Sequence, residues 1–475
     1  MASRRASKPT AASVAWDAWL TTRGGAPIIA ARQAVRLEAL VAHARSASRF
    51  YAEQYRDLPA GCFKPADLRR LPPVHKPALM ERFEEWVTDP RVTRAGIEAF
   101  VADLDNVGKD FLDQYVVFTT SGSTAEPALL VQDPRSIAVM MGLAYARSAG
   151  VLPLRLLPRI LARGARQAAV FAQGGHFLTA TMFARQLRTQ PYRRRIARYF
   201  SILDPLPQLV EQLNGFQPAL VSTYASALSV LIDEQEAGRL HISPVVISSG
   251  GELLLPSVQR RAEEAFGCVV VETYNASEAT PLSLPCRLGR LHLNTDWFIV
   301  EPVDAAGDPV PTGHRSDTVL VTNLANYVQP VIRYELGDSV VIAAQPCACG
   351  NPLPTITPEG RTDEILRVPR AGTGEVVLLP MAIATVVEET PGVLRYQILQ
   401  TAPATLAIRL DTDPGAGRAR VWQRAHDRLD SFLRTQGAAG VTVELADERP
   451  QANPRNGKLR HVLCTLPPTS PAASP

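Results

Sequence analysis

From residue 219 to residue 278 the chain repeats one pattern, and that pattern restricts the fold more than any other part of its 475 residues. Short apolar runs at 219–223, 245–249 and 269–272 are separated by stretches of helical spacing at 225–235 and 256–265. Strands that alternate with helices pair in parallel, because a parallel connection needs a crossover long enough to be a helix. The expected core is therefore a parallel sheet with helices on its faces. Open sheets of this kind hold ligands at the carboxyl ends of their strands. Here those ends carry two polar turns, Ser249-Gly250-Gly251-Glu252 and Tyr274-Asn275-Ala276-Ser277-Glu278.

A third polar turn lies upstream. Val117-Phe-Thr-Thr-Ser-Gly-Ser-Thr-Ala-Glu-Pro127 begins apolar and β-prone, becomes a run of hydroxyls around Gly122, and closes on proline. Gly122 permits backbone angles that other residues resist, and successive amides in such a loop form an anion nest. With Thr119, Thr120, Ser121, Ser123 and Thr124 supplying hydroxyls, a triphosphate suits the loop; a Ser/Thr-rich surface turn is the alternative for this stretch taken alone. If the strand at 115–119 ends as the others do, all three turns face one cleft.

The remaining chain frames this unit. Residues 13–56 and 78–105 read as helical, with a stiff Leu71-Pro-Pro-Val-His-Lys-Pro77 connector between them. Strand spacing returns at 128–131, and 138–148 and 203–213 read as helices. Beyond Pro285 the pattern turns to alternating strands at 291–293, 297–302, 318–323 and 339–343, a β-rich subdomain. A fresh unit follows, with strands at 365–368, 394–401, 404–411 and 441–445 and helices at 381–390 and 417–436. The fold class expected is α/β, with a large N-terminal domain (1–362) of parallel sheet, flanking helices and β-rich subdomain, a small mobile α+β C-terminal domain (363–466), and a disordered Pro/Ser/Ala tail (467–475). The formal charge of +4 comes without a long basic block, which argues against nucleic acid. Residues 186–199 hold Arg188, Arg193, Arg194, Arg195 and Arg198, either a solvated helix face or a seat for the phosphates of a second substrate. Residues 1–21 lack the apolar run of a signal peptide and no stretch is apolar enough to span a bilayer. The expected setting is cytoplasmic, with reduced thiols.

Clustered cysteines in that setting point to metal rather than disulfide. Cys347-Ala348-Cys349-Gly350 is a tight turn presenting two thiols, and Cys286 and His292 lie about sixty residues upstream. Together they offer a Cys₃His set, the closed structural type for zinc; the alternative is four unrelated residues. Cys62, Cys268 and Cys464 read as packing residues. His176 and Tyr224 are read either as walls of a substrate pocket or as plain loop and core residues.

Six motifs occur in a fixed order: Thr-Ser-Gly-Ser-Thr-x-x-Pro, Ser-Gly-Gly-Glu, Tyr-x-x-Ser-Glu, Arg-Tyr-Glu-Leu-Gly-Asp, Gly-Arg-Thr-Asp and Asn-Gly-Lys. From about residue 70 to 462 the chain resembles the adenylate-forming superfamily of acyl-CoA ligases and adenylation domains, and its Cys-x-Cys-Gly resembles the phenylacetate–CoA ligase branch. That resemblance implies activation of a small carboxylic acid by ATP through an acyl adenylate, then transfer to CoA. Thr120, Ser121, Gly122, Ser123 and Thr124 would hold the phosphates, with Thr124 placed among the catalytic residues. Gly250, Gly251, Glu252, Tyr274, Asn275 and Ser277 would surround the nucleotide, Asp338 would accept its ribose hydroxyls, and Arg361 would contact it. Glu278 would meet Mg²⁺, Asp363 would be the hinge, and Lys458 would enter the cleft in the first half-reaction. Some members of the branch carry a zinc site such as Cys286, His292, Cys347 and Cys349 would form.

The phosphate loop departs from the family pattern. Ala125 stands at the usual glycine, Ala128 at a frequent lysine, and Glu126 adds a negative charge. A relative with another acceptor (a carrier-protein thiol, an amine, or a group receiving AMP) therefore stays open, as does a non-catalytic nucleotide-binding homologue. A homodimer is compatible with either.

Overall fold

The computed structural model describes residues 9–58, 65–120, 128–148, 154–173, 175–304, 306–359, 366–370, 372–413, 415–451 and 460–466. Five strands, β3 (Gln167–Phe171), β4 (Ala197–Ser201), β5 (Leu220–Thr223), β6 (Val246–Gly250) and β7 (Val269–Thr273), pair in parallel in the order β4-β3-β5-β6-β7. This is the sheet the strand–helix alternation predicts.

Among the described residues the chain begins with α1 (Ala11–Ala47, broken at Gly25), α2 (Arg49–Gln54), α3 (Lys76–Glu81), α4 (Phe83–Trp86) and α5 (Arg94–Ala102). Then come α6 (Pro134–Arg147), α7 (Leu157–Ala162) and α8 (Leu178–Thr189). α6 starts four residues before the sequence expectation, because Asp133 caps it through Ser136 N at 2.7 Å and Pro134 occupies its first turn. The opposite face of the sheet carries α9 (Leu206–Phe216), α10 (Ala225–Glu236) and α11 (Pro256–Phe266).

Two features differ from expectation. β1 (Val116–Thr119) pairs antiparallel with β2 (Leu129–Gln132) and does not join the parallel sheet, so the Ser/Thr/Gly stretch connects a hairpin rather than feeding a crossover. The arginine-rich span 186–199 is not one helix. It is the end of α8, a 3₁₀ turn begun by Pro191, and the edge strand β4. Its charges mask β4 because an edge strand has solvent on one side.

The β-rich part contains β8 (Ser283–Pro285), β9 (Leu291–Leu293), β10 (Phe298–Val303), β11 (Thr318–Asn323), β12 (Val331–Glu335), β13 (Val340–Ile342) and β14 (Thr355–Pro358). They form two antiparallel sheets, β10-β11-β12 and β13-β14-β9-β8. The C-terminal part has the hairpin β15 (Leu366–Pro369) and β16 (Glu375–Leu378), then α12 (Pro380–Glu388), β17 (Val393–Ala402), β18 (Thr405–Thr412), α13 (Arg418–Thr435), β19 (Thr442–Leu445) and β20 (Val462–Cys464). One apolar cluster runs from Val170, Val221 and Ile247 of the sheet through Leu209 and Leu231 to Leu379, Ile383 and Phe432. Gln436 Nε2 donates to Leu203 O at 2.6 Å, and Arg367 pairs with Asp233 at 3.2 Å, so the C-terminal part is docked on the α9–α10 face.

Candidate active site

The carboxyl ends of β6 and β7 open into a cleft of about 550 Å³. Of the residues expected from sequence, Thr120, Gly251, Glu252, Tyr274, Asn275, Ser277, Glu278 and Asp338 line it. Three segments far apart in the chain thus meet at the strand ends, where a parallel sheet gathers its ligands. Ser121, Gly122, Ser123, Thr124, Arg361, Asp363 and Lys458 lie outside the described residues.

Each wall has a local cause. Thr120 closes the base of the hairpin: its Oγ1 accepts from Ala128 N at 3.0 Å, and its own N–H donates to Ala128 O at 3.1 Å. Thr119 N–H donates to His176 O, tying the hairpin to the segment after β3. Gly251 has φ +83°, and a Cβ there would sit 3.0 Å from the Tyr224 ring, so both conformation and space require glycine. Gly250 is not among the lining residues; a Cβ there would meet Thr273 Oγ1 at 2.5 Å, so its glycine serves the approach of β6 to β7. Glu252 accepts from Ser226 N at 2.7 Å and Ser226 Oγ at 2.9 Å, capping α10. Asn275 Oδ1 accepts from Leu282 N at 2.9 Å and fixes the loop after β7.

The polar centre is a set of three groups. Tyr274 donates its hydroxyl to Asp338 Oδ2 at 3.1 Å. Burial, then the charge of Asp338, hold the Tyr274 phenol well above its usual range, so it stays a donor. Glu278 is buried, and Asn323 Nδ2 donates to its carbonyl at 2.8 Å. Burial pushes the Glu278 carboxyl up, and hydrogen bonds and Lys76 partly offset this, one of those bonds being the Tyr334 hydroxyl. A buried carboxylate with so little compensation gains most from a hard cation beside it.

Lys76, in sequence only part of a stiff connector, is a further functional candidate. Val74 docks along β12, with Val74 N–H donating to Arg333 O at 3.0 Å and Glu335 N–H to Val74 O at 3.0 Å. That docking sets His75 against Glu335 at 2.6 Å and puts Lys76 in the cleft, near enough to Glu278 and to Glu388 at the end of α12 to lower the pKa of both. A lone lysine before proline carries no motif, so only the long-range pairing of the connector reveals it. Arg333 of the Arg-Tyr-Glu-Leu-Gly-Asp motif serves structure: it donates to Glu301 Oε2 at 3.0 Å and to Leu71 O at 2.6 Å.

Tyr224 packs edge-on against Phe171 behind Gly251. His176 is buried beside Phe100, with Nε2 3.4 Å from Asp103 O, and belongs to the packing of that loop. The 3₁₀ turn at 191–195 leads into the amino end of β4, at the edge of the sheet opposite the cleft.

A second cluster joins two turns of the β-rich part. The ligand atoms of Cys286, His292, Cys347 and Cys349 all lie within 4.8 Å of one another. Cys286 Sγ is 4.0 Å from Cys347 Sγ, and Cys349 Sγ is 3.3 Å from His292 Nε2. Tetrahedral zinc with Zn–S near 2.3 Å separates its ligands by roughly 3.3–3.8 Å, so the donor set fits. His292 Nδ1 faces Leu353 O at 2.6 Å, a contact that makes it the donor and leaves Nε2 as the lone-pair nitrogen. Amides of Leu288 and Asn351 donate to Cys286 and Cys349 at 3.4 Å.

No family model matches the chain. Protein CapK of Staphylococcus aureus is 26% identical over 149 residues, 30% of this chain; the match spans 31% of CapK. In three dimensions the chain is similar to 2-hydroxyisobutyryl-CoA ligase in complex with 2-HIB-AMP and CoA in the thioesterification state, at TM-score 0.55, 20% identity, 92% of this chain and 89% of the other. An open conformation of the same ligase aligns at TM-score 0.51, 20% identity and 90% of both chains. Among the described residues no helix is long and apolar enough to cross a membrane. The α/β fold anticipated from the sequence is the fold of this chain, and it is shared with 2-hydroxyisobutyryl-CoA ligase.

Proposed function

We propose that this protein activates a carboxylic acid with ATP as an acyl adenylate and passes the acyl group to the thiol of CoA. The observation that carries this reading is the convergence of Tyr274, Glu278 and Asp338, with Thr120 at the base of the Ser/Thr/Gly loop, on one cleft at the strand ends. In the first step a substrate carboxylate oxygen attacks the α-phosphorus and pyrophosphate leaves. In the second, a thiolate attacks the acyl carbon and AMP leaves with the carboxyl oxygen. Asp338 would accept the ribose hydroxyls through charge-assisted hydrogen bonds, with Tyr274 orienting its carboxylate. Glu278 would hold Mg²⁺, which when bound neutralises charge on the phosphates. Lys76 and Lys458 would supply the cations that the loop lacks at Ala128, and Arg361 would contact the nucleotide. Residues 363–466 are read as the unit that turns about Asp363 between the steps.

The test is ATP–pyrophosphate exchange across aryl and aliphatic acids, then thioester formation with CoA. Acid-dependent exchange is the expected result, and its absence with every acid would overturn the reading. A second reading keeps adenylation but changes the acceptor to a carrier-protein thiol, an amine or a group that takes AMP. The altered loop, with Ala125, Glu126 and Ala128, favours it; exchange without CoA thioester is its signature. Cys286, His292, Cys347 and Cys349 are proposed to hold structural zinc.

A further inference from the structure

The parallel sheet has two unlike faces. Residues alternate between faces along a strand, and Val170, Val221, Ile247 and Val270 point into the core under α9–α11. The alternate positions Ala169, Ser222 and Ser248 stand side by side on three adjacent strands, Ala169 opposite Ser222 and Ser222 opposite Ser248. Three small side chains in one row leave a trough where a sheet of this kind ordinarily packs flush. Its roof is Met140 and Met141 of α6 with Met182 and Phe183 of α8. The space beneath it is about 660 Å³, larger than the nucleotide cleft, and is partly open to solvent.

The space runs along the strands as an open channel. It is lined near the carboxyl ends of the strands by Ser248 and Asn275 and near their amino ends by Gln167, Leu220 and Val246. Both Leu178 and Thr189, the two ends of α8, border it. Twelve residues of helix span about 18 Å. Asn275 lines both this channel and the nucleotide cleft, so a molecule reacting in the cleft can extend down the channel.

We infer that the channel holds the chain of a linear, apolar carboxylic acid, whose carboxyl group lies by Asn275 and whose tail runs under α8; this rests on the adenylation reading above. Charge that would seat a phosphate is scarce in the lining. Arg185 is its one charged residue, and that guanidinium is paired with Asp110. A single aryl ring beside the carboxyl group would fill only the end near Asn275. Methionine is unbranched and polarizable and adapts to chains of differing length.

Two measurements test this. In ATP–pyrophosphate exchange, kcat/KM should climb about threefold to fourfold per added methylene from butyrate upward until the channel is full, and dodecanoate should exceed phenylacetate. Filling the trough by Ala169→Leu, or the roof by Met141→Trp, should cut the dodecanoate-to-butyrate ratio by at least about tenfold. Separately, without ATP, dodecanoate should displace anilinonaphthalene sulfonate from the wild type and not from these variants. Displacement of this pattern with no exchange for any acid would keep the channel and sink adenylation. Exchange confined to short or aryl acids, with no displacement by dodecanoate, would keep adenylation and overturn the channel.

Discussion

At the scale of single residues the cleft depends on where charge is buried. Glu278 has burial against it and Tyr334 and Lys76 for it. Its carboxyl therefore titrates above the usual range, and protons would compete there with the Mg²⁺ proposed to bind it. The acid limb of the exchange rate should fall at higher pH than an ordinary carboxylate would give. Lys76→Met should move that limb further up, because the cation that lowers the Glu278 pKa is gone; a pH profile unmoved by the change would remove Lys76 from this role. Glu278→Gln should lower exchange by about 100-fold or more while leaving the melting temperature unchanged or higher, since it removes a buried charge. Tyr274→Phe should raise the KM for ATP about tenfold through loss of one bond to a charged acceptor.

At the scale of elements, two predictions follow from what α12 and the cysteine turns hold. Glu388 ends α12 among Lys76, Glu389, Tyr396 and Tyr224, and burial pushes its carboxyl up to about 8. An unfolded glutamate titrates near 4.3. Between these values the folded chain holds the extra proton, so stability is present below the lower value and is lost as pH rises toward the upper one. Glu388→Gln should melt roughly 3–6 °C above wild type at pH 8.5 and level with it at pH 5. The four-ligand turn should hold one zinc per chain in protein purified without added metal. Cys347→Ser should lose the metal and melt at least roughly 5 °C lower; full stability without bound metal would leave these as free thiols. The elements were mostly legible in the sequence. Regular alternation gave β5, β6, β7, α10 and α11 to within a residue or two, since their apolar periods are clean. β4 and β12 were not, the first hidden by arginines, the second because it was read as a motif. The hairpin pairing of β1 with β2 was also out of reach, because period alone does not tell a parallel partner from an antiparallel one.

At the scale of the molecule, the cleft exists because β6, β7, the β-rich sheets and the 71–77 connector converge. Of the residues in the ordered motifs, Tyr274, Glu278 and Asp338 meet there. The motifs did not foretell Lys76, whose position depends on a bridge between Val74 and Tyr334 some 260 residues apart in the chain. Nor did they foretell that the C-terminal part rests on α9 and α10 through one continuous core. Together these elements form the cleft proposed to join a carboxylate to the α-phosphate of ATP. Acid-dependent ATP–pyrophosphate exchange measures that step alone, before any acceptor is involved. Exchange should require Mg²⁺ and acid and fall about 100-fold or more in Lys458→Ala with the fold intact; exchange equal to wild type in that variant, or no exchange with any acid, would contradict adenylation in this cleft.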